Sequence, residues 1–343
     1  MDSLPPELIQ AIAVLLRQRD LYHFRLTCRG FAAATSAIVM KNVSVLDTSH
    51  SLSSLLSFVQ SRGTKLPTRT LTIYSGDWLS YSKEEWLVHP LLCWECNSKL
   101  SMRGNGSADS IEADAAYMRY TNFINKETSR DPAEDLRTLE SIAQHMPNLT
   151  SFALVPLHQM GLQWSQSSKV GTLARQIWML PSPRCAPKTL DRVLELSLVL
   201  GSIDELSIYG KLHLDGLPRR ESQTIRTLRI SSATVSCTSS LVNFLSSFPS
   251  VRSLQLSMRI RTALNLHCVA LPEIRSLKLQ NVIVSEDSLL DFMLCNARLE
   301  TIYMDEDALS TGTWRTFYGR LPGPRRSIQV VLNESWWKAR VGG

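Results

Sequence analysis

A chain of 343 residues, 44% hydrophobic and 20% charged, is long enough to bury a substantial core and lies well away from the composition of disordered segments. No apolar run approaches the roughly 18 residues a membrane span needs, and the opening Met1–Glu7 lacks the basic and apolar regions of a secretory signal, so the sequence predicts a protein of the cytosol or nucleus. The net charge of +6 raises nucleic acid as a partner. Lys and Arg are however dispersed along the chain, and no basic cluster is flanked by base-stacking aromatics, which argues against it.

The first forty-odd residues carry two amphipathic patterns. Leu8, Ile12, Leu15 and Leu16 fall on one face of a helix that begins after Pro5-Pro6, where proline suits the first turn. Asp20 then reads as an N-cap, and Leu21, Phe24, Cys28 and Phe31 continue at spacings of three, four and three as a second helix. A unit this short cannot bury both stripes alone. Its apolar surface must be closed by the rest of the chain or by another protein.

Leu52, Leu55, Leu56 and Val59 predict a helix closed by Gly63, followed by a strand at Leu71-Thr72-Ile73. The same order then recurs. Strand units begin at Leu149, Ile203, Ile225, Val251, Ile274 and Leu299, each with apolar residues at its first, fourth and sixth positions. The last five start 22, 26, 23 and 25 residues apart, the period of a leucine-rich repeat. Helices are expected between the strands, for example Leu241–Leu245 before Pro249 and Leu289–Leu294 after the Ser285-Glu286-Asp287 start.

One such unit cannot bury its own apolar face, so neighbours must stack with a parallel sheet on one side. The residue between the fourth and sixth positions points out of that sheet. These outward residues include Ala153, Ser207, Arg229, Gln255, Lys278 and Tyr303; Arg229, Gln255, Lys278 and Tyr303 are the candidate contacts for a bound protein. Two stretches interrupt the repeats, residues 93–131 and 156–190, and read as insertions or long loops. Ile328, Val330, Val331 and Trp336-Trp337 could close the last repeat as a strand and cap.

Chemistry is sparse. Cys93-Trp94-Glu95-Cys96 is a lone pair of thiols without the second pair that a structural zinc site needs, and His89 beside Pro90 reads as an ordinary histidine. The other cysteines are scattered and read as reduced, buried thiols. There is no phosphate loop, nucleophile elbow or zinc-protease motif. No catalytic residue, metal or cofactor is therefore assigned, and the sequence predicts a protein that is not an enzyme.

Leu4-Pro5-Pro6-Glu7-Leu8, Leu15-Leu16, Asp20-Leu21 and Leu26-Thr27-Cys28-Arg29-Gly30-Phe31 resemble the F-box motif in order and spacing. Together with the repeats, the chain resembles F-box proteins with degenerate leucine-rich repeats, of the kind common in fungi. The resemblance implies an α/β fold, with a small helical F-box module over residues 1–45 and an irregular leucine-rich-repeat solenoid over 46–343. It implies a substrate-recognition subunit of a Skp/cullin/F-box ubiquitin ligase, in which the module binds a Skp-type adaptor and the repeats bind a protein client. Leu4, Pro5, Leu8, Ile12, Leu21, Leu26, Cys28 and Phe31 would then contact the adaptor or pack behind that contact. The alternative is a non-catalytic scaffold whose N-terminal helices only cap the solenoid.

Overall fold

The computed structural model describes residues 4–88 except 17, 64 and 77, then 107–157 and 187–212, and then 220–333 except 236, 268, 306–307 and 322–327, with isolated positions at 173, 176, 177, 179, 214 and 217. The protein is mixed α/β, with one nine-stranded sheet and twelve helices among the described residues.

Four short helices open the chain: α1 (Pro6–Leu15), α2 (Gln18–Thr27), α3 (Arg29–Ala34) and α4 (Ser36–Val39). The expected second helix is split. Cys28 adopts an extended backbone and caps α3 by accepting from the Phe31 N–H on its Sγ at 3.4 Å. The apolar spacing runs unbroken across this point, which is why the pattern alone does not reveal the break. Asp20 lies in the first turn of α2, where a carboxylate favours the helix dipole, rather than at the cap. Ile9, Ala13, Leu21 and Phe31 are buried. Phe24 stacks on Phe31 with ring centroids 4.4 Å apart, and the Thr35 hydroxyl donates to the Phe31 carbonyl at 2.6 Å.

The sheet comprises β1 (Asn42–Leu46), β2 (Thr70–Ser75), β3 (Ser151–Pro156), β4 (Glu205–Leu212), β5 (Thr227–Val235), β6 (Ser253–Ala263), β7 (Ser276–Ile283), β8 (Thr301–Asp305) and β9 (Gln329–Asn333). Strand order follows chain order, and every pairing is parallel. All six repeat units and the tail strand of the sequence reading are strands. β1 was not expected, although Val43 and Val45 alternate as a half-buried strand requires.

Register explains the apolar signature. Phe152, Leu206, Leu228, Leu254, Leu277 and Ile302 are partners across successive strands, and so are Leu154, Ile208, Ile230, Leu256 and Leu279. Each of these is at most 1% exposed. Burying one such side chain is worth about 1.5–3 kcal/mol, so the two rows anchor the register: a slip of one residue would turn both toward solvent.

Helices connect most strands: α5 (Ser49–Ser61), α6 (Lys83–Val88), α7 (Ser107–Thr128), α8 (Pro132–Gln144), α9 (Pro187–Leu200), α10 (Thr238–Leu245), α11 (Glu286–Cys295) and α12 (Trp314–Arg320). The Thr48 hydroxyl caps α5 through the Ser51 N–H, and Gly63 follows it with φ +62°. Among the described residues no helix lies between β4 and β5 or between β6 and β7, so the strand–turn–helix order does not hold in every unit. After β6, loop backbone is satisfied from the neighbouring unit instead. Buried Asn296 accepts from the Leu271 N–H at 2.6 Å and donates to the carbonyls of Val269 and Phe292.

Part of the interruption read as loop is helix. Ala113, Ala116, Tyr120 and Ile124 of α7 are buried with Trp86, Ile177 and Met179 in a second core, with Trp78, Tyr81, Tyr117 and Phe123 packed against it. The helical signal is weak in sequence because Ile111 and Met118 sit exposed on the other side. Likewise α9 falls at the end of the second interruption.

Hydrogen bonds tie the chain between α4 and β1 to the start of β2. Thr68 donates its hydroxyl to the Met40 carbonyl at 2.8 Å. The Arg69 and Thr70 N–H groups both donate to the Lys41 carbonyl. No helix among the described residues is long and apolar enough to cross a membrane.

Candidate interaction surfaces

The helical module presents two apolar sides. Of the residues singled out from sequence, Leu21 and Phe31 fill its interior, and Cys28 is half-buried at the α3 cap. Leu4, Pro5, Leu8, Ile12 and Leu26 are exposed, with Leu8 at 52% and Leu26 at 83%. Leu15, at 86%, joins them. Ile9 and Ala13 seal the module rather than the stripe of Leu8, Ile12 and Leu15. These two sets lie side by side on α1, so spacing placed the apolar half of the helix but not which edge of it turns inward. Within the module α1 and α2 pack on α3, and α4 carries the contact with β1. Leu8, Ile12 and Leu26 thus remain uncovered by the rest of the described chain.

The sheet offers a second surface on the face opposite the buried rows. Ser207, expected to point outward, is buried, and Arg229, Gln255, Lys278 and Tyr303 follow it as register partners on the next four strands. The four candidate contacts therefore form one continuous row. Arg229 is paired with Glu205 at 2.9 Å; Gln255, Lys278 and Tyr303 are half-buried.

A third feature was not legible in the sequence. Asp47, just past the C-terminal end of β1, accepts from Arg130 Nη2 at 3.0 Å, from Arg192 Nη2 at 2.8 Å, and from the Thr189 hydroxyl. Arg130 also bonds Glu127 at 2.9 Å and Asp135 at 3.0 Å, and Arg192 bonds Asp135. Glu127 in turn accepts from the Ser49 N–H at the start of α5. These charged side chains are 7–13% exposed. Burial pulls the Arg130 guanidinium down, and Asp47, Asp135 and Glu127 together outweigh it, so its pKa lies above the ordinary value.

The cluster borders a cavity of about 420 Å³ that Trp78 and Lys188 also line. Its members span Asp47 to Arg192, so no local motif signals it. Each inner charge is already paired, and the arrangement braces β1, α8 and α9 against one another.

Other reactive groups are isolated. Cys237 is exposed and Cys28 and Cys295 are also reachable by solvent to some degree, against the expectation of buried thiols. The Ser239 hydroxyl 2.9 Å away, aided by the Ser240 and Ser239 amides, holds the Cys237 thiol down to about 7. In the second core burial pushes the Tyr120 phenol up to about 12. Among the described residues no three His, Cys, Asp or Glu side chains gather as a metal site. Cys93, Cys96, His89 and Trp336-Trp337 lie outside the described residues. No family model matches the chain, and no curated protein matches it.

Proposed function

We propose that the protein is the substrate-recognition subunit of a Skp/cullin/F-box ubiquitin ligase, with the N-terminal helices as the F-box that binds a Skp-type adaptor and the sheet, read as a leucine-rich-repeat solenoid, as the client receptor. The single observation that carries this reading is the exposure of Leu8, Ile12 and Leu26 on a module whose own interior is already filled by Ile9, Ala13, Leu21 and Phe31. Large apolar side chains held exposed on packed helices mark a surface for another protein. The capping alternative requires the same side chains to be spent on the sheet, whereas among the described residues Leu8, Ile12 and Leu26 are exposed. In this reading the chain carries out no chemistry itself; it positions a client.

The test is co-purification of the full chain with a Skp-type adaptor, in parallel with a Leu8→Ala/Ile12→Ala/Leu26→Ala variant. Because the three positions are exposed, the variant should keep the far-ultraviolet circular dichroism of the parent. Loss of buried interface side chains of this size is expected to weaken adaptor binding by at least about 2 kcal/mol. Equal recovery from both proteins, or no recovery from either, would reject the proposal.

A further inference from the structure

The residue that precedes each strand also forms a row. Backbone bonds run from the Arg226 N–H to the Asp204 carbonyl, from Arg252 to Arg226, from Arg275 to Arg252, and from Glu300 to Arg275. Arg226, Arg252 and Arg275 thus lie side by side on the N-terminal rim of β5, β6 and β7, and all three are exposed. Neighbouring strands are about 4.8 Å apart. Three like charges at that spacing repel, and the rim offsets them only from its two flanks, where Asp204 stands beside Arg226 and Glu300 beside Arg275. Arg226 and Arg252 make no ion pair among the described residues. Arg275 reaches Glu300 only at 3.6 Å, with both side chains more than half exposed. The basic residues that are dispersed in sequence are therefore gathered by the repeat.

The positions one residue further along are Thr227, Ser253 and Ser276, partners in register on the same strands and half-buried. Beyond them on β7 stands Lys278, also without an ion pair. Hydroxyl donors beside the exposed Arg226 and Arg252 guanidiniums suit carboxylate or phosphate oxygens, which Arg binds in a forked geometry.

We infer that the N-terminal rim of β5–β7 is a docking surface for an acidic stretch of polypeptide, with Arg226, Arg252 and Arg275 as its charge-bearing contacts. The inference rests on the client-receptor reading above and names the chemistry of the client. Charge complementarity selects a polyanion. No aromatic ring stands among these positions to stack a base, which favours an acidic peptide over a single-stranded nucleic acid. A polyproline II peptide advances about 3.1 Å per residue with three residues per turn, so acidic side chains three residues apart share a face and match the outer two arginines.

The probe is a fluorescein-labelled oligoglutamate peptide, titrated by anisotropy against the full chain, with labelled oligothymidylate as the nucleic-acid comparison. The Arg226→Gln/Arg252→Gln/Arg275→Gln variant is expected to lose at least about tenfold in affinity, and its residual binding should depend less steeply on salt. A variant of equal charge loss elsewhere, Arg62→Gln/Arg137→Gln/Arg315→Gln, should bind within about twofold of the parent. The proposal is overturned by absence of oligoglutamate binding, by equal losses in the two variants, or by tighter binding of oligothymidylate. Adaptor capture by the rim variant, measured alongside, should be unchanged. Failure of the rim and failure of the adaptor reading are thereby read separately.

Discussion

Gly312 sits at φ +78°, and a methyl group there would overlap the carboxylate of Glu286. That carboxylate is buried and accepts from the Thr316 hydroxyl and Arg320, each at 2.9 Å. Gly201 has a similar φ of +61° but open space around it. Backbone strain alone costs about 1–2 kcal/mol, whereas displacing a buried, hydrogen-bonded carboxylate adds about 1–3 more. Urea denaturation should therefore show a loss of about 1 kcal/mol for Gly201→Ala and about 3 kcal/mol or more for Gly312→Ala. Cys237 supplies a residue-scale pH effect. Its folded value of about 7 lies below the ordinary thiol, so the nucleophilic thiolate forms as pH rises through 7. Iodoacetamide labelling of Cys237 should reach half its maximal rate near that pH, and Ser239→Ala should move the midpoint upward. At this scale periodicity made the apolar half of α1 legible, but not that Leu8 and Ile12 form its exposed edge and Ile9 and Ala13 its buried one. The sequence was silent on Gly312 and Cys237, whose behaviour depends on a neighbour's carboxylate and on a local turn.

Among the elements, the brace around Asp47 carries the largest expected consequence. Removing one partner of a buried ion network leaves the others desolvated and unpaired, at a cost of about 3–5 kcal/mol. Asp47→Ala should destabilise the protein by that amount in urea unfolding. Arg137→Ala, which breaks the exposed pair with Asp131 at 3.8 Å, should change stability by less than about 0.5 kcal/mol. Equal effects would show that burial does not govern these pairs. The strands were legible because two apolar residues flanking one outward residue leave few alternatives. Helix α7 was not, since alanine and tyrosine make most of its buried side and dilute the pattern. Strand β1 was missed for want of length, and the split between α2 and α3 because a cysteine cap looks in sequence like one more apolar position.

For the whole molecule, the period of the repeats foretold strands following chain order across the sheet, and register then placed Arg229, Gln255, Lys278 and Tyr303 in one row. The arginine rim was present in the same units, at the second position of those starting at Ile225, Val251 and Ile274. It became visible only once those units stood side by side, because charge density is a property of neighbours in space. The buried cluster was beyond reach for the same reason, with contributors separated by more than a hundred positions. At the junction of α4 and β1 the Met40 carbonyl accepts from the Thr68 hydroxyl and the Lys41 carbonyl from the Arg69 and Thr70 N–H groups. In the proposed assembly, an adaptor that holds the helical end would through these bonds set the orientation of the sheet as well as its position. Under the proposed function, clients of like affinity would then differ in the surface lysines that their pose on the sheet exposes.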